Sequence, residues 1–467
     1  MKKIILIFSL VVLAGSCSIY RKYQRPENLL PVDSLYRDMP ASAGAGTPDS
    51  SSLAYMPWED LFTDTLLRNL INEGLENNTD LLTAALRVEQ AQARLKASKW
   101  AYSPSLNLAP QGGYNYSLAD NGGNTSASSS WTYNIGVSAS WDIDLFGSLL
   151  NAKRGAQADL LQQQAYRQAV RSQLVATVAN AYYTLLMLDE QVSISQENVA
   201  LWKEQIRTME ALLRVGLTTE NAVTQSRAQL YGLEATLSDL LRQRREAENA
   251  ICTLLGSVSS SVERGTLSEQ SLPDSVEVGL PLELLSNRPD VYQAEMALAS
   301  AYYSTNYARS AFYPKLTLSG SAGWTNSLGQ AILNPGGLIV SALASLAQPI
   351  FNKGQLTSNL RVAKAEEEIA KLAYKQTLLN AGEEVNNALF AIQSYDEMME
   401  KHLAQCADLE RTVVTSRYLY ETNNATYLEL LTAQQSLLNA RLNVVSDRYL
   451  KLSSVVNLYR ALGGGKD

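Results

Sequence analysis

Histidine is almost missing from this 467-residue chain, which carries one, His402. A single imidazole excludes a histidine-built metal cluster and a histidine-dependent catalytic triad. Cysteine is scarce as well: Cys17, Cys252 and Cys406 are the three, and no Cys-x-x-Cys pair offers a redox or zinc motif. A Gly-rich phosphate loop ending in Lys and a Gly-x-Ser-x-Gly elbow are both absent. The carboxylate run Glu366, Glu367 and Glu368 lies in a helical pattern and reads as a solvated face. The expectation is therefore a non-enzyme with no cofactor and no metal site. A basic excess is lacking too, since 39 Lys and Arg face 46 Asp and Glu for a net charge of -7. With the two signs interspersed there is no basic stripe for nucleic acid.

Long apolar runs are also missing. The stretch from Ile4 to Ala14 is too short for a membrane-spanning helix of about 20 residues. Preceded by Lys2 and Lys3 and followed by Gly15-Ser16, it has the form of a secretory signal peptide over 1–16. Ala14-Gly15-Ser16-Cys17 resembles a bacterial lipobox, which would make Cys17 the acylated, palmitate-bearing first residue of the mature chain. Residues 17–57, polar and rich in Ser, Ala and Gly over 41–52, then read as a lipid-anchored tether. Cys252 and Cys406 could pair in an oxidising compartment, although the helical setting of Cys406 favours a small packed thiol.

What is abundant is helical pattern. Val178, Ala181, Leu185, Leu188, Val192, Ser195, Val199, Trp202, Ile206, Met209 and Leu213 hold an unbroken 3-4 spacing, the seam of a long supercoiled helix. The same ladder recurs 207 positions on, from Val385 through His402 and Cys406 to Tyr420. Upstream the offset is 210: Asp80 answers to Asp290, Pro104 to Pro314 and Gly113 to Gly323. The chain is thus predicted to be internally duplicated, with repeats at 58–265 and 266–467. Long helical hairpins are expected at about 149–255 and 355–462. Earlier helices are expected from Leu66 to Leu75 and from Thr79 or Asp80 to Trp100, with Asp80 a candidate cap.

Between these helices the period changes. Over Trp131–Ile143, Trp131, Tyr133, Ile135, Val137, Ala139, Trp141 and Ile143 alternate with polar or small residues. This predicts a strand with one apolar face. Leu316–Trp324 repeats the pattern, and weaker partners give one hairpin per repeat, at about 104–142 and 314–350. Four amphipathic strands bounded by Trp and Tyr fit a transmembrane barrel wall. A bilayer tolerates no free sheet edge, so several chains must share one barrel.

The ordered motifs Trp58-Glu59-Asp60-Leu61-Phe62, Trp141-Asp142-Ile143-Asp144-Leu145-Phe146-Gly147, Asn287-Arg288-Pro289-Asp290, Ala311-Phe312-Tyr313-Pro314, Tyr427-Leu428-Glu429-Leu430-Leu431 and Leu458-Tyr459-Arg460-Ala461-Leu462-Gly463 carry a resemblance. Over essentially the whole mature chain the sequence resembles the TolC-like outer-membrane efflux proteins, lipidated class. The resemblance implies a mainly α fold with transmembrane β structure. Its homotrimer continues a coiled-coil α-barrel into a shared twelve-stranded β-barrel with four strands per chain. It implies a location in the outer membrane of a Gram-negative bacterium, extending into the periplasm. It also implies two partners besides outer-membrane lipid: a periplasmic adaptor and an inner-membrane RND-type transporter. Carried over, the adaptor-contacting tips are Arg214, Gly216, Leu217 and Thr218 in the first repeat, and Asn423, Asn424 and Ala425 in the second. Arg417, Tyr420 and Glu421 are the candidate gate. A second reading, a lipid-anchored periplasmic coiled-coil scaffold without a pore, accounts for the helices but has no use for an apolar strand face.

Overall fold

The computed structural model describes residues 20–26, 29, 56–120, 125–272, 288–327, 337–422 and 426–465. Cys17, the signal segment, most of 17–57, both strand-hairpin tips, and Asn423, Asn424 and Ala425 lie outside these described residues. In chain order the elements are α1 (Trp58–Leu61), α2 (Thr65–Asn77), α3 (Thr79–Trp100), β1 (Ser105–Asp120), β2 (Thr125–Ile143), α4 (Ser148–Arg214) and α5 (Glu220–Leu254). They continue as α6 (Pro289–Ser310), β3 (Lys315–Ser327), β4 (Gly337–Ala347), α7 (Gln355–Glu421) and α8 (Tyr427–Ala461). The helices come in matched lengths: α3 and α6 have 22 residues each, α4 and α7 have 67, and α5 and α8 have 35. The expected hairpin starts at 149 and 355 and the ladder ends at Leu213 and Tyr420 lie within a residue of the ends of α4 and α7.

The chain divides into two compact units. The first comprises the described parts of Met1–Glu27, Arg87–Gln163 and Ala294–Tyr374. Its centre is one antiparallel sheet in the order β1-β2-β3-β4. β1 and β2 pair from Ser105↔Ser140 to Asp120↔Thr125, β2 and β3 from Thr132↔Ser327 to Ile143↔Leu316, and β3 and β4 from Lys315↔Ala347 to Thr325↔Gly337. Because pleating alternates sides, this register puts Leu106, Leu108, Tyr114, Trp131, Ile135, Val137, Trp141, Leu318, Trp324, Leu338, Val340 and Leu346 on a single face. Asn107, Gln111, Asn115, Asn134, Ser138, Thr317, Ser319, Ser321 and Ser341 occupy the other, joined there by Ile339 and Leu343. On the polar side Gly136 faces Gly323, and a Cβ on Gly323 would stand 2.8 Å from Gly136 Cα and 2.9 Å from Ile135 O. Glycine at 323 is what allows so close an approach of the two strands.

The stretch expected to be tether is in part docked. Arg25 donates two hydrogen bonds to Glu295 of α6, at 3.0 and 2.5 Å, and the Glu295 side chain is buried. The Tyr23 amide donates to Tyr303 Oη at 3.2 Å, and Tyr302 Oη donates to the Arg21 carbonyl at 3.1 Å. Tyr20 is buried, its ring against Gly147, which sits at φ +73° between β2 and α4. Tyr20–Pro26 is therefore an ordered strap: a tyrosine-rich segment can bury ring area while its arginine finds a carboxylate.

The second unit comprises the described parts of Asn28–Leu86, Gln164–Gln293 and Lys375–Asp467. Its core gathers Leu61, Phe62, Leu67, Ile71, Val178, Tyr182, Tyr183, Leu186, Val385, Val456 and Tyr459. Burying a Leu, Ile or Phe side chain contributes roughly 1.5–3 kcal/mol each. Asp64 caps α2 by accepting from the Leu66 amide at 2.8 Å, and also accepts from Tyr182 Oη at 2.6 Å and Gln270 Nε2 at 2.9 Å. Asn78, rather than Asp80, caps α3: its Oδ1 accepts from the amides of Asp80 and Leu81 at 3.0 Å each. Its Nδ2 donates to the Leu254 carbonyl at 2.9 Å, a second task that an aspartate cannot perform.

Candidate functional site

Two regions carry the features that point to function, the strand sheet of the first unit and the helix-turn-helix ends of the second. The sheet's apolar face is uncovered in the single chain: Leu106 is 73% exposed and Val340 69% exposed. Side chains of this size aligned over four strands form a patch far larger than a soluble monomer leaves open. Among the described residues β1 and β4 each pair along one edge alone. No described helix is long and apolar enough to cross a membrane.

In the second unit α4 ends in a Schellman turn. Leu217 N–H donates to Leu212 O at 2.9 Å and Gly216 N–H to Leu213 O at 3.1 Å, with Gly216 at φ +72°. Positive φ disfavours any residue with a Cβ, which explains glycine there. Thr219 then caps α5, its hydroxyl accepting from the Ala222 amide at 3.3 Å. The turn displays Arg214, Val215 and Leu217 to solvent, with Thr218 half-buried. At the other reversal the Glu429 carboxylate accepts from the Thr426 hydroxyl at 3.0 Å and opens α8. Of the expected tip residues, the structure thus brings Arg214, Gly216, Leu217 and Thr218 onto one turn.

Arg417, Tyr420 and Glu421 come together on a groove of about 490 Å³, opposite Trp202, Gln205 and Tyr427. The rings of Tyr420 and Tyr427 lie 5.7 Å apart. Tyr427 Oη shares a 2.7 Å hydrogen bond with Ser226 Oγ and accepts from Gln205 Nε2 at 3.4 Å. Burial pushes the Tyr427 phenol up, against the opposing pull of Ser226, so it stays neutral and can serve both partners. Gln434 donates to Gln205 Oε1 at 3.3 Å, and Gln229 pairs with Gln435. The groove is therefore stitched by neutral amides and hydroxyls from α4, α5 and α8.

Sequence reasoning did not single out Gln205, Ser226 or Gln229, because a polar residue beside an apolar ladder reads as solvated. The offset that relates the repeats does not reveal them either, since 207 positions on from Gln205, Ser226 and Gln229 stand Thr412, Ala433 and Ser436. His402 sits on its ladder as expected, partly buried, with Nδ1 2.5 Å from Oδ2 of the buried Asp447. The counterpart positions in the first ladder pair hold buried Ser195 and Leu240, so this hydrogen-bonded pair is particular to the second. Arg244, which interrupts the α5 ladder, lies 3.5 Å from Asp189, and Arg264 joins Asp189 to Glu248. Arg288 of the Asn-Arg-Pro-Asp motif is buried and donates to Asp290 at 2.6 Å, Glu384 at 2.9 Å and the Ala461 carbonyl at 2.7 Å. Cys252 and Cys406 are both free thiols.

The profile of the family described as "Outer membrane efflux protein" matches residues 70–257 and 280–464. The cation efflux system protein CusC of Escherichia coli (strain K12) is 29% identical over 463 residues, covering 98% of each chain. The probable outer membrane lipoprotein SilC of Salmonella typhimurium is 27% identical over 464 residues, covering 99% of this chain and 98% of its own. A crystal structure of CusC, described with conformational changes accompanying folding and transmembrane channel formation, superposes with a TM-score of 0.84 at 28% identity. That match covers 96% of this chain and 100% of the other.

Proposed function

The chain belongs to the outer membrane efflux protein family, and from that premise we propose that three copies form a single conduit through the outer membrane and across the periplasm. It is an efflux channel component and not an enzyme. Each copy contributes β1 to β4 to a twelve-stranded barrel and its long helices to a helical tunnel below. Cys17 bears the lipid anchor. The turn at Arg214–Thr218, together with Asn423, Asn424 and Ala425, meets a periplasmic adaptor, and an RND-type inner-membrane transporter supplies the energy. Arg417, Tyr420 and Glu421 narrow the tunnel entrance.

The carrying observation is the sheet: one face predominantly apolar and uncovered, the other predominantly polar, with an edge on each side that is unpaired among the described residues. In lipid each unpaired backbone group costs several kcal/mol, so such a sheet must be completed by others like it. The helices support the same assembly. In α4, Val199, Trp202, Ile206 and Met209 are buried, whereas their α7 counterparts Cys406, Leu409, Val413 and Ser416 are only half-buried in the single chain. A neighbouring copy would cover what is left open. Matched helix lengths and the two separate stretches matched by the family profile support an internal duplication. At about 1.5 Å per residue, 67-residue helices reach on the order of 100 Å, a length suited to bridging a periplasm.

The test is reconstitution. Purified chain in detergent is expected to run as a heat-stable trimer with β signal and to open ion-conducting pores in planar bilayers. A water-soluble monomer on removal of 1–17, with no conductance, would support the scaffold reading instead.

A further inference from the structure

The chain is acidic overall, yet its charge reverses where helix meets strand. Taking the seven helix residues beside each strand together with the link between them, the stretches 94–104, 144–154, 304–314 and 348–361 hold eight Lys and Arg and a single acid, Asp144. That acid is already engaged, since its Oδ2 accepts from the Leu150 amide at 2.8 Å at the start of α4. Among the described residues none of the eight cations has an ion pair, whereas Arg242, Arg264, Arg288 and Arg441 of the second unit each hold one or more. Arg154 goes further: its Nη1 is buried with no hydrogen-bond partner. A buried cationic donor without an acceptor is costly, and it calls for an anion that the chain itself does not supply.

Four of the eight belong to the side of the junction that carries the apolar strand face and the strap. Trp141, on that face, donates to the Tyr102 carbonyl at 2.8 Å, and Lys153 Nζ stands 6.0 Å from the centre of the Tyr102 ring. Arg154 Cζ is 6.0 Å from the centre of the Tyr303 ring, whose hydroxyl accepts from the Tyr23 amide of the strap. Arg309 faces Tyr20 of the strap, where burial raises the phenol and the guanidinium opposes the rise. Lys99 is the image of Arg309 under the 210-residue offset, and each is the cation in the last turn of its helix. Exposed rings flank them, Trp100 and Tyr313 among them. Long basic side chains beside aromatic rings at the end of an apolar wall are what headgroup depth selects.

Resting on the reading that this sheet stands in the outer membrane, we propose that Lys99, Lys153, Arg154 and Arg309 form a docking site for the headgroup of an anionic phospholipid in the leaflet beside the helices. A phosphodiester of net negative charge supplies the acceptor that Arg154 lacks, and guanidinium groups engage its oxygens through paired N–H donors. The acyl chains of the same lipid continue along Leu106, Leu108 and Trp141 of the apolar face. A zwitterionic headgroup brings its own cation to a site that already holds four, and so binds less well.

Lipid titration of the full-length chain tests the site. Protein purified in detergent is given phosphatidylglycerol or phosphatidylcholine, bound lipid is counted by native mass spectrometry, and the β signal is melted in parallel. The parent is expected to retain phosphatidylglycerol in preference to phosphatidylcholine and to melt higher with it. Lys153→Gln, Arg154→Gln and Arg309→Gln should each lower the apparent affinity for phosphatidylglycerol about fivefold, and the triple variant should lose the preference. Arg207→Gln with Arg411→Gln, cations of the second unit, should leave it unchanged. A preference that is equal in the parent and the triple variant, both with full β signal, would overturn the site and leave the channel standing. If the triple variant lacks β signal, the three single variants decide in the same way. Equal retention of the two lipids by the parent, or equal protection of the melt by inorganic phosphate, would overturn the lipid assignment. A parent that has no β signal and enters no bilayer would overturn the channel reading and the site with it.

Discussion

Arg417 is exposed on the groove that also holds Tyr420 and Tyr427, and three such guanidinium groups around one axis would narrow a tunnel and repel cations. Arg417→Ala is expected to raise single-channel conductance in planar bilayers, and unchanged conductance would remove Arg417 from the constriction. Asp64 and Asp290 act on stability instead. Burial works to raise both carboxyls, but hydrogen bonds from Tyr182 and Gln270 to Asp64, and the Arg288 guanidinium at Asp290, outweigh it and hold both below the usual range. Their stabilisation is complete above the ordinary carboxylate value of about 3.9 and is lost as pH falls through the lowered folded values. The melting temperature should therefore be level near neutrality and drop below about pH 4. Asp64→Asn should melt lower at neutral pH with a shallower acid limb, and a parallel profile would show that Asp64 contributes nothing to the slope.

The ends of α5 and α8 are built alike. Gly256 at φ +67° and Gly463 at φ +89° each donate to the carbonyl three residues back, and Ser257 and Gly464 each reach five back, to Cys252 at 2.9 Å and Tyr459 at 3.0 Å. Alanine in this left-handed conformation costs about 1–2 kcal/mol. Gly256→Ala adds a Cβ 2.8 Å from the Asn77 carbonyl oxygen on top of that cost, so it should lower the melting temperature. Equal stability of Gly256→Ala and the parent would exclude the strained cap. The two glycines stand 207 positions apart, the offset of the ladders. The long helices and the strand pairs were legible in advance, since their periods persist far beyond chance. The α3 cap was not: Asn77, Asn78, Thr79 and Asp80 are all cap formers, and the choice falls to Asn78 because only an amide can also serve Leu254. Nor was the Gln205–Ser226–Tyr427 stitch, since hydrogen bonds between distant helices leave no period in one of them.

For the whole molecule, the apolar sheet face and the half-covered α7 ladder ask for the same remedy, further copies of the chain. If Cys17 is the acylated residue, Cys17→Ala should yield a mature chain without acyl mass by mass spectrometry, while β signal and trimer remain. A parent chain with an unmodified Cys17, or one cleaved elsewhere, would remove the anchor.

The Tyr20–Pro26 strap gives that anchor a geometry. Two residues, Ser18 and Ile19, separate Cys17 from the buried Tyr20, and at about 3.5 Å per step the three steps span roughly 10 Å of chain. Fatty chains on so short a leash must enter the leaflet within a residue or two of where Tyr20 leaves the junction of β2 and α4. The acyl group would then work as a depth gauge, setting how far each subunit sinks before its neighbours arrive. Lengthening the leash with a few glycines should leave attachment intact while blurring insertion depth.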